Sequence, residues 1–138
     1  MEKLLIKAII PTTLGKRETD EWGSGYFGAP RGDHTHHGID YVCDSQVQIL
    51  SPVMGEITKL GYPYADDLSF RYVQITDKAG LKNRVFYVEP ILPIGRTVKE
   101  GTVIGFSQDL TERYPGITPH IHYEAMDGKK YLNPEELA

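Results

Sequence analysis

The chain has 138 residues, 40% of them hydrophobic and 25% charged, with a formal net charge of −4; this fits one globular domain able to bury a core without covalent staples. The negative balance, with Lys and Arg scattered singly or in pairs, excludes the basic clusters that nucleic acid or an anionic membrane surface requires. A single cysteine, Cys43, excludes an internal disulfide, and no run approaches the ~18 apolar residues of a membrane span.

From the N-terminus, residues 4–10 read as a strand. Lys3 and Lys7 break the apolar character of residues 1–10 and no small-residue cleavage site follows, so this end does not read as a signal peptide. Residues 12–31 are polar and rich in glycine (Gly15, Gly23, Gly25, Gly28) and are expected to form a long loop, a feature that is commonly functional in compact domains. From Gly38 onward the chain alternates between short strands and turns. Cys43, just after Tyr41-Val42, reads as a small buried residue. Strands are expected at 47–50, closed by Ser51-Pro52, and at 55–60, closed by Gly61. Others follow at 71–76, ending at Asp77, at 84–88, stopped by Pro90, at 102–105 after the turn Lys99-Glu100-Gly101, and at 120–126, stopped by Asp127-Gly128. Short β-branched segments punctuated by Gly, Pro and Asp predict a mainly β, antiparallel fold with little helix. The one helical turn expected is at 133–137, with Asn133 as N-cap and Pro134 at the first helical position.

All five histidines fall in two clusters. His34, His36 and His37 lie in Asp33-His-Thr-His-His-Gly-Ile-Asp40; His120 and His122 lie in Pro119-His-Ile-His-Tyr-Glu124. Residues two apart in a strand share a face, so His120 and His122 project together. His36 and Asp40 flank Gly38, whose conformational freedom would let the chain wrap an ion. Zinc takes imidazole nitrogen and carboxylate oxygen in a tetrahedral shell, and catalytic sites keep three protein ligands and one open position. The two clusters supply that donor set with a histidine to spare. The His-Glu-x-x-His helix of another zinc protease class is absent.

Embedded in His-His-Gly-Ile-Asp, the pair His36-x-x-x-Asp40 resembles the first metal motif of the lysostaphin-type metallopeptidases. His120-x-His122, followed by Tyr123-Glu124, resembles the second. Ser51-Pro52-Val53-Met54-Gly55-Glu56-Ile57, the glycine turn within residues 97–105, and Leu132-Asn133-Pro134 are similar to further segments of that family. The resemblance covers residues 23–137, leaving residues 1–22 as an N-terminal strand and loop of the same single domain. It implies an antiparallel β-sheet groove of duplicated-hybrid type, with a zinc ion at its floor. The implied ligands are His36, Asp40 and His122, with His120 as a catalytic histidine. The implied substrate is the peptide cross-link of bacterial peptidoglycan. Tyr72 and Tyr87 would line the groove or, alternatively, pack into the core.

One departure stands out. Family members carry a second catalytic histidine in a Tyr-x-His-Leu segment, and Phe86-Tyr87-Val88-Glu89-Pro90 puts Glu89 at that position. Glu89 is read as a substitute general base, facing the groove if Tyr87 does, since the two would share a strand face. In a catalytically inactive, zinc-ordered binding module it would instead be a fourth ligand or merely accept hydrogen bonds, and with no role at all it would be a solvated strand-end residue. The secreted leukocyte chemotaxin-like proteins also lack that histidine. Residues 86–91 and Tyr114-Pro115-Gly116-Ile117 resemble that branch, whose paired cysteines are missing. By analogy with the family, a standalone domain of this type would serve in a phage tail or lysis assembly acting at the bacterial envelope.

Overall fold

The computed structural model describes residues 30–31, 34–35 and 38–132. The expected N-terminal strand, most of the glycine-rich loop, His36, His37 and the C-terminal helical turn lie outside the described residues. Twelve strands follow in order: β1 Pro30–Arg31, β2 His34–Thr35, β3 Ile39–Val42, β4 Gln48–Leu50, β5 Gly55–Gly61, β6 Tyr72–Asp77, β7 Lys82–Phe86, β8 Val88–Pro90, β9 Thr97–Val98, β10 Val103–Ser107, β11 His120–Asp127 and β12 Lys130–Leu132. Every pairing is antiparallel, as the alternating sequence predicts. No helix among the described residues is long and apolar enough to cross a membrane.

Seven strands form the main sheet in the order β12-β11-β7-β6-β5-β9, with β3 alongside β11. One edge of β11 is thus shared: its first half pairs with β3 and its second half with β12. A smaller sheet has the order β4-β10-β8, and β1 pairs with β2.

Alternation decides which residues fill the core. Ile121 and Tyr123 of β11, Val85 of β7, Val73 and Ile75 of β6, Ile57 of β5 and Ile39 of β3 form one buried cluster with Ile49, Val88 and Ile104 of the smaller sheet. Each such side chain contributes about 1.5–3 kcal/mol by leaving water. One polar pair sits among them, fully satisfied. Tyr123 donates to Asn83 Oδ1 at 2.6 Å, and the Asn83 amide donates to the Ile75 and Leu81 carbonyls. Cys43 is buried as expected, and burial pushes its thiol up to about 11, which makes it an unreactive packing residue.

The segment read as one strand over 84–88 is two. Tyr87 takes φ 70 between β7 and β8, a left-handed conformation costly for a bulky residue. Two hydrogen bonds hold the turn, the Tyr87 and Val88 amides both donating to the Arg71 carbonyl. There the chain leaves the main sheet and enters the smaller one, and the inside-outside alternation restarts: Val88 is buried and Glu89 is exposed.

The cluster geometry makes Ile121→Ala a strong test of the core. It should lower unfolding stability by about 2–5 kcal/mol, through lost transfer energy plus a cavity. Ile91→Ala, at a half-exposed site, should change it by about 0.5 kcal/mol or less. Urea denaturation of the two variants beside the parent checks this, and equal losses would contradict the assigned core.

Candidate metal centre

With Ile121, Tyr123 and Ala125 directed into the core, the intervening residues of β11 must face the other way. His120, His122 and Glu124 therefore stand in a row on the opposite face of the main sheet. The β3–β11 register sets His122 directly across from Asp40. Their side chains meet, with His122 Nδ1 2.9 Å from Asp40 Oδ1. The second Asp40 oxygen lies 3.4 Å from His120 Nε2. The other His122 nitrogen, Nε2, is 2.9 Å from Glu124 Oε1. Asp40, His120 and Glu124 are buried, and only 12% of the His122 side chain is exposed.

The two histidines of the cluster are held by different partners. His120 Nδ1 is 2.7 Å from the Thr118 carbonyl. A carbonyl only accepts, so Nδ1 carries a hydrogen toward Thr118, and Nε2 faces the Asp40 side of the cluster. His122 lies between two carboxylates. Burial alone would lower its pKa, but the hydrogen bonds and negative charges of Asp40 and Glu124 outweigh burial and raise it to about 9.

Aromatic rings wall the cluster. Phe86, across from His122 on β7, meets its ring edge-on at 5.1 Å, and Tyr72 stacks on Phe86 at 4.6 Å. Tyr87 presents an edge to His120 at 5.7 Å. Its hydroxyl is 2.9 Å from that of Tyr64, which also accepts from Tyr114 at 2.7 Å. Tyr72 and Tyr87 thus lie beside the cluster, and both serve packing: Tyr72 is buried against Phe86, and Tyr87 packs on a second apolar cluster of Phe70, Leu110 and Ile117.

Gly38 serves the site in another way than its position suggests. Its backbone is not in the left-handed region. A Cβ there would strike the Tyr123 carbonyl oxygen and come within 2.9 Å of the His122 ring. Glycine is required because β3 enters the sheet hard against the imidazole.

Of the residues read as a zinc site, Asp40 and His122 are brought together, with His120 beside them. His36 lies outside the described residues, and no trio of metal-binding side chains forms among the described residues alone. The donors present suit zinc: one buried carboxylate oxygen and one imidazole nitrogen converge. Glu89 is not brought to this cluster. Its carboxylate is exposed, receives a 3.4 Å hydrogen bond from Gln108, and lines a surface pocket with Phe106, Gln108, Asp109 and Glu112 rather than with the histidines. The expectation that Tyr87 and Glu89 share one strand face does not hold, because the left-handed Tyr87 interrupts the strand between them. Glu124 was not singled out from sequence as a site residue, although its place two residues after His122 in a strand is the signal that puts it on the same face.

Comparison with known proteins fits this geometry. The model of peptidase family M23 matches residues 34–134. Leukocyte cell-derived chemotaxin-2 from Mus musculus is 30% identical over 111 residues, covering 80% of this chain and 73% of that protein. The catalytic domain of the antimicrobial peptidase lysostaphin from Staphylococcus simulans superposes with a TM-score of 0.65 at 20% identity, covering 83% of this chain and 89% of that one. The catalytic domain of a mutant of the prophage-encoded M23 protein EnpA from Enterococcus faecalis superposes with a TM-score of 0.61 at 20% identity, covering 82% and 88%.

The raised His122 pKa gives a pH dependence of defined sign. The folded value, about 9, exceeds the unfolded value of ~6.5. The imidazolium's stabilising contribution is complete below pH ~6.5 and is lost as pH rises through about 9. In chelator-treated protein, the urea midpoint of the parent relative to His122→Gln should fall across that window. A difference that stays constant with pH would contradict the two-carboxylate environment of His122.

Proposed function

This chain belongs to peptidase family M23, and from that membership together with the buried Asp40–His122 contact we propose a zinc-dependent endopeptidase that cleaves peptide cross-links of bacterial peptidoglycan. The contact carries the reading. A carboxylate oxygen and an imidazole nitrogen from two strands meet beneath an aromatic-walled face, with a second histidine, His120, 3.4 Å from the same carboxylate. His36, Asp40 and His122 would hold the ion. A bound zinc lowers the pKa of its water and polarises a carbonyl.

The chain's own residues do the rest. Asp40 places one oxygen toward His122 and the other toward His120, so one carboxylate stands between the two rings. The Thr118 carbonyl holds the hydrogen on His120 Nδ1, so His120 Nε2 is the atom able to accept a proton and return it to a leaving amine. Phe86, Tyr72 and Tyr87 shield the face from water, which strengthens the electrostatic interactions within it. The substrate would be met at the cell envelope, with the domain carried in a phage tail or lysis assembly.

A second reading, a zinc-ordered binding module without peptidase activity, is favoured by one observation. The residue standing where a second catalytic histidine belongs, Glu89, is exposed and bonded to Gln108.

Purified zinc-loaded chain incubated with cross-linked peptidoglycan separates the two readings. The peptidase reading expects new amino termini, a loss of about 10²–10⁴-fold in His120→Ala with zinc retained, and no change in Glu89→Gln. Zinc-loaded parent protein that releases no amino termini from peptidoglycans of differing cross-link chemistry would overturn it in favour of the binding module.

A further inference from the structure

Two rungs of side chains cross the site face of the main sheet. The strand registers pair Asp40 with His122, His122 with Phe86 and Phe86 with Tyr72 in the first rung; they pair Glu124 with Arg84 and Arg84 with Gln74 in the second. The first rung is the metal half-site and its aromatic wall. The second has no assigned purpose, yet it is the more elaborately bonded.

We propose that Glu124 is a positioning residue that fixes the His122 ring for metal, held in place by a polar chain running through Arg84 and Gln74 to Thr58. The proposal rests on the zinc site of the preceding section. Its first link is the 2.9 Å contact from His122 Nε2 to Glu124 Oε1. A carboxylate accepts, so Nε2 carries a hydrogen and the opposite nitrogen, Nδ1, is turned toward Asp40. Rotating the imidazole by half a turn would break both contacts. Metal-binding histidines commonly donate their second N–H to a carboxylate, which fixes the ring and raises its basicity.

A buried carboxylate needs compensation of its own. Glu124 is 6% exposed, and the Arg84 guanidinium stands 3.8 Å from its other oxygen. Arg84 Nε donates to Gln74 Oε1 at 2.9 Å. The Gln74 amide is in turn oriented, because its nitrogen donates to Thr58 Oγ1 at 2.9 Å. The chain ends where Thr58 and Thr76 hydroxyls meet at 2.8 Å. The Tyr72 ring lies 5.4 Å from the Arg84 guanidinium, joining the two rungs. One ion pair and two hydrogen bonds therefore link side chains from β11 to β5, across four strands. Linked polar side chains restrain one another, so breaking one link loosens the rest.

Two readouts on the full chain test this. The first is zinc affinity, by competition with a chromogenic chelator. Glu124→Gln, a near-isosteric change that removes the charge, should weaken zinc by about 10–100-fold. Gln74→Leu should weaken it in the same direction, yet add nothing in the Glu124→Gln background, because both act through one ring. The second needs no metal: the His122 Nε2–H signal of nitrogen-15-labelled, chelator-treated protein should shift in both variants. Equal zinc affinity and an unmoved imidazole signal in Glu124→Gln would overturn the proposal. So would affinity losses that simply add in the double variant, since that is the mark of two independent structural defects. If the parent chain holds no zinc, the proposed function fails, while the imidazole signal still decides the role of Glu124. Should Glu124→Gln fail to fold, Gln74→Leu read by the imidazole signal decides it alone.

Discussion

The register in which β3 lies beside β11 is the constraint on which the site depends. Asp40 and His122 are 82 positions apart in the chain and meet only because Ile39, Asp40 and Tyr41 pair with Tyr123, His122 and Ile121 in turn. Side chains alternate with period two, so a slip of one residue would drive Asp40 into the apolar core and bring a large hydrophobe to the site face. The core forbids that slip. Ile39, Tyr41, Ile121 and Tyr123 are all buried, and exposing them together would cost far more than any single polar contact gains. Hydrophobic burial on one side of the sheet thus sets the geometry of polar chemistry on the other.

The same division explains why so many charged and polar groups are tolerated on the site face. Asp40, His120, His122 and Glu124 are all largely removed from water, and an unpartnered charge there would be costly. They are arranged so that each carboxylate faces an imidazole or a guanidinium, with Arg84 drawn in from β7 and Gln74 from β6. Close approach of the backbone completes the arrangement, since only a glycine at position 38 lets β3 pass the His122 ring. The family membership and the lysostaphin-like fold belong to this scaffold.

Much of this was legible in the sequence. The strand segments at 55–60, 71–76 and 120–126 announced themselves by alternation, and the His-x-His pair of β11 was assigned to one face for the same reason. Glu124 belongs to the same period and was equally open to that reading. Glu89 shows where the method stops. Alternation over 84–88 predicts an unbroken strand, and nothing in the residue types marks Tyr87 as left-handed, because bulky residues rarely take that conformation. The turn is imposed by tertiary contacts, with Arg71 accepting two amides and a cluster of Phe70, Tyr64 and Tyr114 gripping the ring. Gly38 was legible as special, but its close approach to Tyr123 and the His122 ring was not, since packing against another strand leaves no local signature.

Zinc-edge X-ray absorption on the zinc-loaded chain tests the central claim, that Asp40 and His122 form half of a metal centre, most directly. Nitrogen and oxygen neighbours at ~2.0–2.1 Å should be seen, with the outer-shell pattern of two imidazoles in the parent and of one in His122→Ala. A sulfur neighbour at ~2.3 Å, or a spectrum that His122→Ala leaves unchanged, would contradict it.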